Sequence, residues 1–312
     1  FSDKLTEEIK QVKDGDIFIF LNRRGSSNYI GCRDCGQILK CPKCDLLLTY
    51  HQDNSLQCHF CKYTRQMIKN CQNCHGINMN MLGVGTQLAE NQVRKMLGSK
   101  QNKQVIRMDS DVSLSTQDRK DGDKIIIGTQ MAWPSVKWEK VKLMVFLDAD
   151  TSLFVPEYKV NENLWYLLRD AQYKLNSQAK LLIQTSHPDH LVFTALSDPT
   201  KFYEEELKVR QILGYPPFRF LLKLFYGHAS KQVAEDEAEQ VFKTLQTLTK
   251  NESSIKLSGP LESAPYLSGG KYWLVILAKI RYDNYKKDVK KLLSVVPDYW
   301  KVDPNPNEIL QL

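Results

Sequence analysis

The sequence predicts an α/β protein: a parallel sheet with helices on both faces, a cysteine-dense insert near its start, and a smaller α+β domain after it. Three observations predict this. Apolar runs at Ile17 to Leu21, Gln104 to Met108, Lys124 to Ile127, Val141 to Leu147 and Ala179 to Gln184 are interspersed with helical segments, and runs without in–out alternation belong to strands buried on both faces. All eight cysteines fall between positions 32 and 74, as four CxxC pairs. Beyond a break from His187-Pro188 to Pro199 the pattern becomes strand, helix, strand, helix over about 100 residues, the size of a small domain.

LTEEIKQVKDGD reads as a helix leading into the buried strand at Ile17 to Leu21, which ends at the turn signal Arg24-Gly25. The cysteine module follows, to about residue 78. GVGTQLAENQVRKMLG then supplies Thr86 as an N-cap, Leu88, Val93 and Leu97 as core contacts, and Gly98 as terminator. After the next three strands come a helix over Asn161 to Leu175 and the strand at Ala179 to Gln184. In the last third, FYEEELKVRQIL is a charged helix ending at Gly214, and Pro216-Pro217 introduces a strand over Phe218 to Tyr226. A helix from Lys231 to Thr249, a Gly/Pro/Ser-rich loop at 258 to 270, a strand over Tyr272 to Ile280 and a helix over Tyr285 to Val295 complete the chain.

With 312 residues and 42% hydrophobic content, the chain builds real cores, and a fibrous or mainly disordered protein is excluded. No run of 18 apolar residues occurs, and the N-terminus is no signal peptide, so the expected location is cytoplasmic, with no membrane partner. The formal charge of +7 permits an acidic partner without demanding one. Beginning at Phe1, the chain reads as a piece of a longer protein.

Four CxxC pairs in one compact insert, on a body otherwise free of cysteine, indicate metal knuckles rather than a disulfide scaffold or a single redox pair. Each knuckle places two sulfurs on one tight turn, and four knuckles make two closed four-thiolate zinc sites with no open position for catalysis. Pairing is sequential, interleaved or nested. Sequential pairing closes a site across only the five residues 36 to 40, whereas nesting is easier. It joins Cys41, Cys44, Cys58 and Cys61 as one site and Cys32, Cys35, Cys71 and Cys74 as the other. His51, His59 and His75 are then surface or supporting residues, since each thiolate set is complete. Two such sites carry four excess negative charges, which lowers the formal charge to about +3.

The run FLNRRGSSNYIGCRDCG, with CPKCD, LQCHFC, CQNC, GVGT, RMDSD, IIIGTQM, FLDAD and IQTSHPDH after it, resembles the second motor lobe of the PriA family of primosomal replication-restart helicases. The likeness covers about residues 1 to 190. Residues 200 to 312 resemble the family's C-terminal domain more weakly, through LGYPPF, a Gly-Pro near 260 and the VDP at 302 to 304. The resemblance implies a RecA-like, superfamily 2 lobe over 1–27 and 79–195, a two-zinc module over 28–78 and a C-terminal α+β domain over 200–312. It implies ATP-driven 3′ to 5′ movement at stalled forks, nested zinc sites, and single-strand-binding protein and other primosome proteins as partners.

The departures point away from an active motor. The family continues GTQM with a Lys-Gly pair, where this chain has Pro134 and Ser135. Its last motor motif carries two arginines that reach the ATP phosphates, and here those positions are Lys174 and Ser177. Lysine lacks the planar fork and serine lacks the charge. Loss of such an arginine costs about 10³ to 10⁵ in rate in other phosphoryl-transfer enzymes. The chain has no Gly-x4-Gly-Lys-Ser/Thr loop: Gly269-Gly270-Lys271 is a turn entering a strand, so Asp148 and Asp150 of FLDAD serve no phosphate loop. ATP and Mg are expected only where a first lobe is supplied, and no catalytic residue is assigned.

The DNA-contact candidates are Asn22, Arg23 and Arg24, just past one strand end, and Gly128, Thr129 and Gln130 past another, where open α/β sheets bind ligands. For the first three, bracing of the cysteine module is the competing role. Lys286, Lys287, Lys290 and Lys291 form one helical face, which reads chiefly as a solvated surface. The expected function is thus a zinc-containing, fork-binding portion of a replication-restart protein with degraded motor motifs. Its rivals are a working helicase half and a zinc-dependent protein-interaction module.

Overall fold

The computed structural model describes residues 1–22, 29–32, 34–35, 37, 39–42, 48–50, 54–58, 63–82, 86–97, 103–108, 122–153, 155 and 157–311. In chain order, helix α1 (Asp3–Gln11) and strand β1 (Asp16–Phe20) open the fold. Five short strands follow: β2 (Tyr29–Cys32), β3 (Thr49–Tyr50), β4 (Ser55–Gln57), β5 (Thr64–Gln66) and β6 (Met79–Leu82). Then come α2 (Thr86–Leu97), β7 (Gln104–Met108), β8 (Lys124–Gly128), β9 (Val141–Phe146), α3 (Asp150–Leu153), α4 (Val160–Lys174), β10 (Lys180–Ile183), α5 (Leu191–Thr194) and α6 (Pro199–Leu213). The last third contains β11 (Phe220–His228), α7 (Lys231–Thr249), β12 (Ile255–Ser268), β13 (Lys271–Ile280), α8 (Tyr285–Leu293) and β14 (Lys301–Pro304).

The first sheet has the order β10-β9-β1-β8-β7, and every pairing in it is parallel. Its central strand explains why the sequence reads as a continuous apolar run. Phe18 and Phe20 enter one core with Met144, Phe146, Trp133, Trp165 and Leu168, while Ile17 and Ile19 enter the opposite core with Leu5, Ile9, Ala89 and Val93. A strand covered on both faces has no solvent side for polar residues. The α6 helix, read from the sequence as the opening of the C-terminal domain, also buries Phe202 in this first core. That ring stacks on Trp165 at 4.6 Å between centroids.

Between β1 and α2 the chain forms a separate antiparallel sheet, β5-β4-β3-β2-β6, over a small core of Ile30, Leu39, Cys41, Leu48, Leu56 and Cys58. Strands of two to four residues with so few apolar side chains have little stability of their own.

The last third is a four-stranded antiparallel sheet, β12-β13-β11-β14, with α7 and α8 on one face. Here the structure corrects the expected loop at 258 to 270, which lies mostly within the 14-residue strand β12. The register shifts between Ser258 and Leu261 and again between Glu262 and Leu267, so the Gly/Pro-rich stretch marks irregularities inside a strand. At Gly259 (φ +134°) an added Cβ would sit 2.8 Å from the Val275 carbonyl oxygen, which is why glycine stands there. The edge strand β14 went unpredicted: four residues ending in proline leave too short a pattern.

The chain's last residues join this sheet to the first. Glu157 accepts hydrogen bonds from the backbone N–H groups of Ile309, Leu310 (2.7 Å) and Gln311 (3.3 Å). Tyr158 donates to the Pro306 carbonyl at 3.0 Å and Lys159 to the Asn307 side chain at 2.7 Å. Burial pushes the Glu157 carboxyl above its ordinary value and outweighs the opposing pull of the three N–H donors. A raised folded value means that its contribution to stability is complete below the unfolded value near 4.5 and is lost as pH rises through the folded one. The stability difference between the native chain and Glu157→Gln should therefore shrink as pH rises across that window, by on the order of 1 kcal/mol per pH unit. Urea unfolding at stepped pH reads this difference, and a constant value would remove Glu157 as a titrating contact.

Candidate metal centre and sheet-edge site

The first and last knuckles of the insert meet in space. The sulfurs of Cys32, Cys35, Cys71 and Cys74 all lie within 4.8 Å of one another. Cys32 Sγ is 3.6 Å from Cys74 Sγ, and Cys35 Sγ is 3.6 Å from Cys71 Sγ. That spacing is far beyond a disulfide bond and close to the roughly 3.8 Å edge of a tetrahedron built on metal–sulfur bonds of about 2.3 Å. Cys32 and Cys71 are buried, and Cys35 and Cys74 are exposed.

Local backbone geometry creates these turns. The N–H of Cys32 donates to the Gln37 carbonyl and that of Cys71 to the Gly76 carbonyl, each at 2.8 Å. Cys58 N–H donates to the Tyr63 carbonyl at the same distance, so three of the four knuckles share one closure. At the fourth, Gly76 leaves room for the Asp34 carboxylate: a Cβ there would stand 2.1 Å from Asp34 Oδ2 and 3.3 Å from Cys74 Sγ, so a larger residue would push that side chain aside. The Gln37 backbone N–H, helped by Asn73, pulls the Cys35 thiol down to about 6. At Cys74 the Gly76 N–H pulls the same way but is outweighed, chiefly by the Cys35 sulfur and burial, and the thiol is pushed up to about 12. Four crowded sulfurs cannot all carry charge without a cation among them, so the donor set suits a thiophilic metal ion.

For the inner set, Cys41 and Cys58 are buried in the same small core. Cys44 and Cys61 lie outside the described residues, as do His51 and His59. His75 is exposed, with φ of +58° in the last turn, where its N–H donates to the Cys71 carbonyl.

The second candidate site is the edge of the parallel sheet at the strands' C-terminal ends. Asn22, just past β1, donates from Nδ2 to Ser152 Oγ at 2.8 Å, which ties that edge to α3. Arg23 and Arg24 lie outside the described residues. Past β8, Gly128 packs so closely that a Cβ would meet the Met108 carbonyl oxygen at 2.6 Å and Ala132 Cβ at 2.8 Å. Thr129 is buried and precedes a 3-10 segment, Gln130–Ser135, whose first residue Gln130 is exposed. Asn22 and Gln130 line one cavity of about 370 Å³ together with Glu157, Tyr166, Asp170 and Glu308. Its described lining contains three carboxylates and no lysine or arginine.

Trp133 to Ser135, Lys174, Asp148 and Asp150 all make structural contacts here. Trp133 turns inward, 5.7 Å from Phe20 and 5.5 Å from Trp138 between ring centroids, and carries Pro134 and Ser135 in the same segment. Lys174 Nζ sits 3.6 Å from Asp170 and 6.0 Å from the Trp133 ring centroid. Asp148 accepts from the Thr151 N–H at 3.2 Å and from its hydroxyl, and burial pushes its carboxyl up. Asp150 accepts from the Thr185 hydroxyl and, at 2.7 Å, from the Ser186 N–H. Asp148 thus holds α3, and Asp150 holds the segment just past β10. Of the four lysines on α8, Lys286, Lys287 and Lys290 are exposed, and Lys291 pairs with Glu252. No helix among the described residues is long and apolar enough to cross a membrane.

A parallel sheet with helices on both faces, interrupted after the first strand in the chain by an insert whose four converging cysteines could hold a metal ion, is an α/β architecture for which the relatives below support a helicase-type fold. No family model matches the chain. Among curated proteins it is similar to several named Replication restart protein PriA. That of Bacillus subtilis is 32% identical over 258 residues, covering 77% of this chain and 32% of the relative. The Borreliella burgdorferi protein is 27% identical over 314 residues, covering 94% and 46%, and the Thermotoga maritima protein 28% over 322, covering 98% and 42%. The chain belongs to the PriA family of replication restart proteins. It spans between about a third and just under half of these relatives' length.

Proposed function

We propose that this chain is the DNA-binding, zinc-containing portion of a replication-restart protein, recognising stalled or forked DNA on a RecA-like second motor lobe whose motor chemistry has decayed. One observation carries the decay. Lys174, at a position where the family has a phosphate-reaching arginine, is held between Asp170 and Trp133, beside a cavity whose described lining offers carboxylates and no cation to a triphosphate. In this reading the lobe comprises 1–27 and 79–195, the zinc module 28–78 and the C-terminal domain 200–312. Two zinc ions sit on Cys32, Cys35, Cys71 and Cys74 and on Cys41, Cys44, Cys58 and Cys61. The shared closure at Cys32, Cys58 and Cys71 supports equivalent knuckles in both sets. Asn22, Arg23, Arg24, Gly128, Thr129 and Gln130 are the DNA-contact residues of this reading. Single-strand-binding protein and other primosome proteins are the protein partners.

The test mixes the chain with a purified first lobe from a relative and measures DNA-stimulated ATP turnover beside forked-DNA binding. Turnover should fall about 10³-fold or more below an intact motor. Fork binding should weaken steeply with salt, with a log–log slope of about 0.9 per phosphate contact on duplex DNA. Robust turnover would restore the working-helicase reading. Binding that ignores salt, or is absent, would leave a protein-interaction module.

A further inference from the structure

The four-stranded sheet of the last third has two faces with different fates. Its helix face is closed by α7 and α8. On the other face, Leu221 and Leu277 pack against Ile309 and Leu310 of the chain's last residues, with Leu261 beside them. Lys223 donates to the carbonyls of Glu308 (3.2 Å) and Gln311 at the same place. This cover stops short of one end of the sheet. There the two central strands, β11 and β13, carry Phe225 and Trp273, both partly exposed, with ring centroids 6.0 Å apart.

Two features hold that pair as a platform. Gly227 is the register partner of Trp273, and a Cβ on it would stand 2.4 Å from the indole, so only glycine lets the ring lie against the sheet. The Trp273 Nε1–H donates to the Ser268 carbonyl at 3.0 Å, which fixes the ring's orientation. Exposed lysines stand on the same face, with the partly exposed Asp303 two residues from Lys301 on the edge strand. Lys301 on the edge strand places Nζ 4.8 Å from the Trp273 centroid and 5.8 Å from that of Phe225, and Lys271 begins β13.

We infer that this open end of the sheet is a stacking platform for single-stranded DNA, with unpaired bases on Trp273 and Phe225 and the backbone phosphates on Lys301 and Lys271. The inference rests on the proposed DNA-binding function and names the part of a fork that this surface takes. An antiparallel four-stranded sheet with aromatic rings on its two central strands offers flat apolar faces at a spacing that paired bases, buried in a duplex, cannot use. Lysines beside the rings match the phosphates on either side of a stacked base, so charge and shape select the same ligand. Lys301 lies over the indole and exchanges that contact for a phosphate when a base arrives.

The full chain is titrated by fluorescence anisotropy against an oligothymidylate and against an abasic strand of equal length, which keeps the phosphates and lacks the bases. The native chain should bind the abasic strand about tenfold or more weakly than the oligothymidylate, a comparison that needs no variant. Trp273→Ala should weaken oligothymidylate binding to a similar degree, whereas Trp273→Phe keeps most of it. Lys301→Glu, at an exposed position, should weaken both strands. Equal binding of the two strands by the native chain, or oligothymidylate binding unchanged in a folded Trp273→Ala chain, overturns the platform. Retained fork binding in that case leaves the wider DNA-binding reading standing, while failure of the native chain to bind forks removes that reading first.

Discussion

Stripping metal from the cysteine insert with a chelator is expected to unfold its five short strands while both larger sheets stay folded. The insert's own core consists of Ile30, Leu39, Leu56 and Leu48 with the cysteines Cys41 and Cys58, and none of its strands exceeds four residues. So little buried apolar surface cannot order this much backbone. In the proposed zinc-bound state metal–thiolate bonds make up the deficit, because binding to a site that exists only when folded is folding free energy, of order 10 kcal/mol for structural zinc in small domains. Hydrogen exchange followed by mass spectrometry should show protection lost across β2 to β6 and kept in β1, β8, β9, β11 and β13. Cys71→Ser, which removes one of four converging sulfurs, should reproduce the loss without a chelator. Unchanged protection in protein shown to be metal-free would mean that packing alone holds the insert.

Replacing Arg210 by alanine is expected to cost about 3 to 5 kcal/mol, the usual penalty for breaking a buried ion pair from one side. Arg210 Nε and Nη2 donate at 2.9 Å to Glu206 and to Glu162, and its side chain is 9% exposed. Glu206 is 6% exposed, so losing the guanidinium strands a carboxylate away from water. The same guanidinium lies 5.5 Å from the Tyr158 ring centroid and 3.5 Å from the Pro216 carbonyl, joining α4, α6 and the turn that leads into β11. Urea unfolding of the variant should show the destabilisation, and Arg210→Ala with Glu206→Leu and Glu162→Leu should recover much of it. A loss under 1 kcal/mol would mean that water reaches Glu206 once the arginine is gone.

How much of this was legible depends on how far apart the cooperating residues lie. The strands at Gln104 to Met108 and Lys124 to Ile127 showed themselves as short apolar runs, since each strand's burial is written in its own residues. Gly214, read as a helix terminator, indeed caps α6 at φ +64°. The stretch from 258 to 268 misled because glycine, proline and serine signal a turn locally, while pairing with β13 holds the segment extended. Nothing near Glu157 announces that it accepts from Ile309, Leu310 and Gln311, some 150 residues away in the chain. The inward turn of Trp133 and the capture of Lys174 were equally invisible, since both depend on elements that meet only in the folded lobe.

The sequence by itself determined the four CxxC pairs, the buried parallel strands and the presence of Lys174 and Ser177 rather than arginines at those positions, because cysteine spacing, apolar runs and residue identities are local properties. Only the tertiary structure decided which sulfurs converge, which charges line the cavity at the sheet edge, and that Phe225 and Trp273 share an open face. Those depend on register and packing between segments distant in the chain, where side chains become neighbours only after the backbone has closed its sheets.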